Sequence, residues 1–250
     1  MKEILGVQSL HLTGTAALHA RLAASVGVCL VMLLGVLALP AQAEKAGNGP
    51  CKVLVIGFVG GIGTAHFPPS VTAPLLHHVQ SLGYPGVCVK MFSAYCPWCA
   101  RRWVKKEFAA GSKGRLSEEL IEKGPKVILY GYSLGAPAAL YFARQLERDG
   151  IPIELAITVD SKGFTQGIIP RNVRVAANFY ERQFLPPVFG KRNMRPEDPL
   201  ATHFLGNIRV AHWGHLRIAG SGPVRELLLS TVREAAYREE KVVAGTAGEK

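Results

Sequence analysis

The sequence predicts an α/β fold in which a mostly parallel β-sheet is flanked by helices on both faces. Two observations carry this prediction. Short apolar runs rich in β-branched residues alternate with amphipathic helical patterns from about Lys52 to Arg238, and such alternation is typical of parallel strands joined by crossover helices. The runs are continuously apolar, with no polar residue at every second position, so the strands are expected to be buried on both faces.

The elements follow from these patterns in chain order. The predicted strands are Lys52–Phe58, Gly86–Phe92, Lys126–Tyr130, Ile153–Val159, Val173–Phe179 and Ile208–His212. The predicted helices are Val71–Leu82, Cys96–Ala110, Leu116–Glu122, Leu134–Asp149 and Pro223–Arg238. Glycines follow several of these helices at Gly83, Gly124 and Gly150, where a C-terminal cap requires positive φ. The proline-rich segment Phe184–Thr202 is predicted to be a long surface loop over the strand ends.

The N-terminal region is expected to direct export. Leu22 to Leu39 is an almost unbroken apolar run, preceded by Arg21 and followed by Ala41 and Ala43. This is the pattern of a signal peptide, so residues 1–43 are predicted to be removed and residues 44–50 to form a linker. The alternative is an uncleaved N-terminal membrane anchor, because the run is just long enough to span a bilayer. In both cases the rest of the chain is expected to be exported, as a periplasmic or secreted protein or one held to the inner membrane.

Composition limits the classes of protein to which the chain belongs. Its 250 residues are 48% hydrophobic and only 19% charged, which fills the core of one medium-sized domain and excludes global disorder. We place this domain at residues 51–238. Residues 239–250 lose the apolar period and are predicted to be a flexible tail.

The chain is strongly basic, with a formal net charge of +11. The densest basic group comprises Arg101, Arg102, Lys105 and Lys106. Such a balance favours peripheral contact with an anionic membrane surface or an acidic substrate, and the alternative is a solvated basic face. No nucleic-acid-binding motif occurs in the sequence, so a nucleic-acid partner is not expected.

The strongest chemical signal is a serine between two glycines. Residues 127–136 read VILYGYSLGA, a buried strand that runs through G-x-S-x-G directly into a helix. A serine at such a turn has strained backbone angles that hold its hydroxyl out into a pocket, and Gly131 and Gly135 remove side chains that would collide with neighbouring backbone. The Leu134 N–H, at the start of the helix, is free to donate to a developing oxyanion. Ser133 is therefore predicted to be a nucleophile, with a structural turn serine as the alternative.

This strand, turn and helix resemble the α/β-hydrolase superfamily, and the resemblance covers most of the chain in a compact version of that fold. Residues 54–61, LVIGFVGG, are similar to the family's first oxyanion loop. The resemblance implies that the Phe58 backbone N–H is the second oxyanion donor, with Gly60 and Gly61 letting the loop fold close to the serine. A glycine-rich phosphate loop is the alternative, although the glycine spacing misses the dinucleotide pattern.

The resemblance also implies an acid and a histidine, in the chain order serine, acid, histidine. Asp160 follows the next buried strand, like the acid of lipase-type members, and would accept the other N–H of the histidine. Asp198 is the rival acid. His215 follows Gly214 in the loop before the closing helix, where the family places its histidine. His212 is predicted to lie inside the last strand, and it stays the alternative base.

No cofactor or metal is predicted. His212 and His215, even together with His203, lack carboxylate or cysteine ligands nearby in sequence that would complete a metal site.

The cysteines predict disulfides. Without Cys29 of the leader, Cys51, Cys88, Cys96 and Cys99 form an even set in an oxidising compartment. Of the possible pairings, Cys51–Cys88 with Cys96–Cys99 suits adjacent strands. The Cys-Pro-Trp-Cys segment at a helix start is also the arrangement of a thioredoxin-type redox site.

The sequence therefore predicts an exported serine hydrolase that cleaves a small-molecule or lipid acyl ester or thioester. The triad is Ser133, His215 and Asp160, working through an acyl-enzyme. Two alternatives belong to other classes. One is an inactive envelope protein of the same fold, since a fold alone does not establish activity. The other is a periplasmic thiol-disulfide oxidoreductase that uses Cys96 and Cys99.

Overall fold

The computed structural model describes residues 50–60, 73–109, 116–163, 166–181, 193–211 and 213–246. The predicted leader, all of the linker except Pro50, and the residues Gly61 and His212 lie outside these ranges.

A parallel sheet forms the centre of the described structure. Its strands are β1 (Val53–Val59), β2 (Val87–Ser93), β3 (Lys126–Tyr132), β4 (Ile153–Val159), β6 (Val173–Tyr180) and β8 (His203–Arg209). They lie in the order β2-β1-β3-β4-β6-β8, and each neighbouring pair is parallel. The short strands β5 (Ile168–Ile169) and β7 (Arg195–Pro196) pair separately. The predicted parallel sheet is confirmed.

Helices cover both faces of this sheet. They are α1 (Ala73–Ser81), α2 (Pro97–Phe108), α3 (Glu118–Glu122), α4 (Gly135–Arg148), α5 (Gly214–Ile218) and α6 (Gly222–Thr246). Strand β1 explains the layers, because Val53 and Val55 pack with α1 and α6 on one face while Leu54 and Ile56 pack with α2 and α4 on the other. Successive side chains of a strand point to opposite faces, so a continuously apolar strand is covered twice, as predicted.

Two of the three predicted helix-capping glycines have positive φ. Gly83 follows α1 with a φ of 60° and Gly150 follows α4 with a φ of 76°. Gly124, after α3, does not have positive φ, and it is needed for a different reason. A Cβ there would lie 2.3 Å from the Phe108 ring, so only glycine lets this turn pack against α2.

The last strand was predicted wrongly. The apolar residues before His212 indicated a strand at Ile208–His212, whereas β8 spans His203–Arg209. This edge strand is only half-buried, contains Gly206, and has a register shift against β6 between Ala176 and Asn178. It therefore lacks the continuous apolar run by which the inner strands are identified. The segment predicted as an irregular loop also contains β7, and α6 continues past the predicted end at Arg238.

Both predicted disulfides are present. Cys51–Cys88 joins residues separated by 37 positions, at the starts of β1 and β2, and Cys96–Cys99 joins residues separated by 3. Because the entropy lost by the unfolded chain grows with loop length, the first bond stabilises the fold by on the order of 4 kcal/mol and the second by about half as much. Among the described helices, none is long and apolar enough to cross a membrane.

Candidate active site

Ser133 lies at the turn from β3 into α4 with a φ of 55°, which is rare for a residue with a side chain. Three backbone hydrogen bonds hold the turn. The Ser133 N–H donates to the Val159 carbonyl (2.9 Å), and its carbonyl accepts from the N–H groups of Lys162 and Ala136 (both 3.1 Å). Such strain, of order 1–3 kcal/mol, persists only where the surrounding structure enforces it. The turn has the geometry that the G-x-S-x-G pattern predicts.

The two glycines of the motif are required by close backbone contacts. A Cβ on Gly135 would lie 2.0 Å from the Phe58 carbonyl oxygen, and one on Gly131 would lie 2.6 Å from the Gly135 carbonyl oxygen. Any side chain at either position would push the turn away from β1 or from α4. These contacts confirm the prediction that both glycines prevent collisions.

Asp160 lies directly after β4, also with positive φ, 40°. Its N–H donates to the Phe179 carbonyl (2.7 Å), which fixes the residue over the neighbouring strand β6. The residue is buried, and its carboxylate contacts Nδ1 of His215 and lies 3.8 Å from the Lys162 ammonium. The structure thus brings together the acid and the histidine that the family resemblance implied.

His215 lies in the short helix α5, where the sequence predicted a loop. Its side chain is 27% exposed, so the imidazole contacts Asp160 on one side and remains accessible on another. Tyr132, the residue before Ser133, stacks on the imidazole with the ring centroids 5.0 Å apart. Through this contact His215 lies next to the serine turn as well as the carboxylate.

Two tyrosines that sequence reasoning missed fix α5 on the sheet. The Tyr132 hydroxyl donates to the His215 carbonyl (2.7 Å), and the Tyr130 hydroxyl donates to the Ala219 carbonyl (2.7 Å). Burial raises the pKa of both phenols, and the negative charge of Asp160 raises the pKa of Tyr132 further. Both hydroxyls therefore stay protonated and keep donating. The only sequence signal was a pair of tyrosines on one face of the strand before the serine.

The loop after β1 also reaches the serine. A Cβ on Gly60 would lie 2.6 Å from the Ser133 Cβ and 3.3 Å from the Leu134 nitrogen, so this glycine allows the close approach that was predicted for it. The Leu134 N–H precedes α4 and donates to no acceptor among the described residues. Phe58 lies inside β1, in register with both Phe92 of β2 and Gly131 of β3. Among the described residues that follow β1, Gly60 is the one whose backbone lies against the serine.

The rival acid, Asp198, is held within its own turn, where its carboxylate accepts from the Leu200 N–H (2.9 Å). The alternative base, His212, lies outside the described residues. Within the described ranges, no three histidine, cysteine, aspartate or glutamate side chains are grouped so that they could hold a metal ion.

Comparison with family models gives no match, and no curated protein matches this chain. Similar solved structures include an esterase from the archaeon Pyrobaculum calidifontis, 10% identical with a TM-score of 0.41 over 84% of this chain and 90% of that chain. Another is a cutinase-like protein from Cryptococcus sp., 12% identical with a TM-score of 0.43 over 78% of this chain and 98% of that chain. Identities and TM-scores as low as these carry no information about the chemistry of this site, which is therefore inferred from the chain's own residues. The parallel sheet and the strained turn that carries Ser133 from β3 into α4 are the arrangement that the resemblance to the α/β-hydrolase superfamily implied.

Proposed function

We propose that this protein is a serine hydrolase that cleaves carboxylic esters or thioesters through Ser133, His215 and Asp160. The observation that carries the proposal is the contact between the Asp160 carboxylate and Nδ1 of His215, next to a serine held at positive φ. A carboxylate on Nδ1 fixes the tautomer in which Nε2 is the basic nitrogen. That nitrogen is the one required to take a proton from a serine hydroxyl.

The proposed reaction has two halves. In the first, Nε2 of His215 takes the hydroxyl proton as Oγ of Ser133 bonds to the substrate carbonyl carbon, and the imidazolium then protonates the departing alcohol or thiol. In the second, His215 deprotonates water, which attacks the acyl-enzyme and releases the acid and the free serine. Asp160 stabilises the imidazolium in both halves. The chemistry needs no cofactor.

The oxyanion would be held by backbone donors. The Leu134 N–H would be one donor, because it lies at the start of α4, where the helix dipole also favours negative charge. The second donor would come from the backbone after β1, because Gly60 lies close to Ser133 there. The Phe58 N–H, implied by the family resemblance, remains a prediction.

Export remains part of the proposal. The signal-peptide pattern motivates it, and two disulfides suit an oxidising compartment such as the periplasm or the extracellular space.

A fluorophosphonate probe tests the proposed nucleophile. The activated Oγ of Ser133 is expected to displace fluoride and form a stable phosphonyl ester, located by peptide mass mapping. Ser161→Ala is the matched control, because this buried serine lies beside Asp160 and should not be needed for labelling. Absence of the label on the folded protein, or a label that survives Ser133→Ala, would refute the assignment. The redox alternative predicts instead catalysed insulin reduction that requires Cys96 and Cys99.

Tyr132→Phe tests whether the missed tyrosine positions the histidine. The variant keeps the stacked ring and loses the hydrogen bond to the His215 carbonyl. We expect kcat to fall about 5- to 10-fold at nearly constant KM, as for the loss of a hydrogen bond of about 1 kcal/mol. The control is Tyr130→Phe, whose hydroxyl meets Ala219 instead. An equal fall in kcat for both variants would indicate general loosening of α5 and contradict the positioning role.

A further inference from the structure

The exposed side of α2 and the turn before it combine aromatic and basic side chains. We define the α2 patch as Tyr95, which precedes the helix, with Trp98, Arg102 and Lys106. Tyr95 is 49% and Trp98 58% exposed, although large aromatic residues are ordinarily much more buried. Arg102 and Lys106 are exposed as well. Trp98, Arg102 and Lys106 lie at successive i, i+4 positions, which places them on one face of the helix.

This face points away from the core because the opposite face of α2 packs against it. Helix α2 buries Pro97, Ala100, Val104 and Phe108 against the sheet and α4. The aromatic residues of the patch therefore do not contribute to the hydrophobic core. Their exposure needs another explanation.

The charge of the patch is not neutralised within the described structure. The Asp149 carboxylate at the end of α4 is already paired, because Arg101 and Lys105 lie 2.6 Å and 3.6 Å from it. The hydrogen bond from Arg101 to Asp149 raises the pKa of the Arg101 guanidinium. Arg102 and Lys106 form no ion pair with any described residue. Two positive charges thus face outward beside the two aromatic rings.

The aromatic end of the patch lies at the same edge of the sheet as Ser133. Tyr95 follows the carboxyl end of β2, Ser133 follows that of β3, and β1 lies between the two strands. Neighbouring strands are about 4.8 Å apart, so the two strand ends are separated by roughly 10 Å. A surface that touched Tyr95 and Trp98 would lie beside the opening of the site.

We infer that the α2 patch docks the protein on an anionic lipid bilayer. Tyr and Trp prefer the headgroup region, where the ring is desolvated and the polar atom stays hydrated. Arg102 and Lys106 lie one and two turns further along α2, and their long side chains reach toward lipid phosphates. The net charge of +11 adds attraction to any anionic surface.

Docking would determine the substrate class, and this step rests on the proposed function. The bilayer would lie beside the opening of the site at Ser133, so the substrate would be an acyl ester carried by a lipid. Docking itself does not require hydrolysis, and the two can be measured separately.

Vesicle flotation tests docking with the full mature chain carrying Ser133→Ala, so that no lipid is consumed. We expect binding to phosphatidylglycerol vesicles at least 10-fold tighter than to phosphatidylcholine vesicles, weakening as salt is raised. Tyr95→Ala with Trp98→Ala, and separately Arg102→Gln with Lys106→Gln, should each weaken it at least 5-fold.

Two matched controls keep the test specific. Arg209→Gln with Arg233→Gln removes the same charge from exposed positions outside the patch, and Leu200→Ala with Leu205→Ala removes exposed apolar side chains elsewhere. Equal losses in a control and its matched patch variant, or equal binding to both vesicle types, would overturn the inference. Circular dichroism and thermal melting verify that each variant is folded.

The substrate step has its own readout. With an active Ser133, the patch variants should hydrolyse a water-soluble acyl ester at the wild-type rate and lose at least 5-fold on an ester embedded in phosphatidylglycerol vesicles. Equal rates on the embedded ester would overturn the lipid substrate while leaving docking intact. Failure of the proposed function would instead remove activity on both esters in the wild type.

Discussion

Ser133→Ala is expected to lower kcat/KM for a p-nitrophenyl acyl ester by a factor of about 10³ to 10⁶, the loss typical when a serine nucleophile is removed. The acyl-enzyme requires Oγ, and no other serine lies at this turn among the described residues. Ser161 is buried next to the acid, and its Oγ has no hydrogen-bond partner among the described residues. The measurement is the initial rate of nitrophenolate release from purified, folded protein.

Alanine at position 133 leaves the backbone strain of the turn unchanged, so the variant reports the loss of the hydroxyl alone. The positive φ of 55° is as strained for alanine as for serine. The melting temperature should therefore stay within a few degrees of the wild type. A variant that retains more than a tenth of the wild-type kcat/KM would rule out Ser133 as the nucleophile.

The inner sheet was predictable because its strands carry their own signal. Strand β4 was predicted with its observed bounds, and β1, β3 and β6 to within two residues at either end. Strands β1, β3 and β4 are almost fully buried, so their sequences are largely apolar, and β6 is buried at five of its eight residues. Strand β8 lies at the sheet edge, where half of the side chains face water and the run is interrupted. A continuous apolar run identifies strands that the fold covers on both faces, and β8 is not one of them.

The site was predictable to the extent that its residues form local motifs. Ser133 and its glycines form one contiguous turn, and Asp160 follows a buried strand. The contribution of Tyr130 and Tyr132 depends on hydrogen bonds to carbonyl groups 89 and 83 positions away, which no local pattern reports. Gly124 is a similar case. Glycine is needed there because of a close contact with the Phe108 ring, and not because of the backbone angles.

The choice of His215 over His212 depended in part on a strand prediction that was wrong. His212 was set aside because it was thought to lie in the ladder of the last strand, but β8 ends at Arg209. What favours His215 in the structure is its contact with Asp160 and its stacking on Tyr132. The short helix α5, missing from the sequence prediction, gives His215 this orientation.

His215→Ala is therefore expected to lower kcat/KM by about 10³-fold or more and to abolish fluorophosphonate labelling, since Oγ of Ser133 would lose its base. His212→Ala should leave both within about 3-fold of the wild type, because that residue is not needed to bridge a carboxylate and a serine. His203→Ala, an exposed histidine of β8, is the neutral control. If His212→Ala were instead the inactive variant, His212 would be the base. The contact between His215 and Asp160 would then be a structural ion pair.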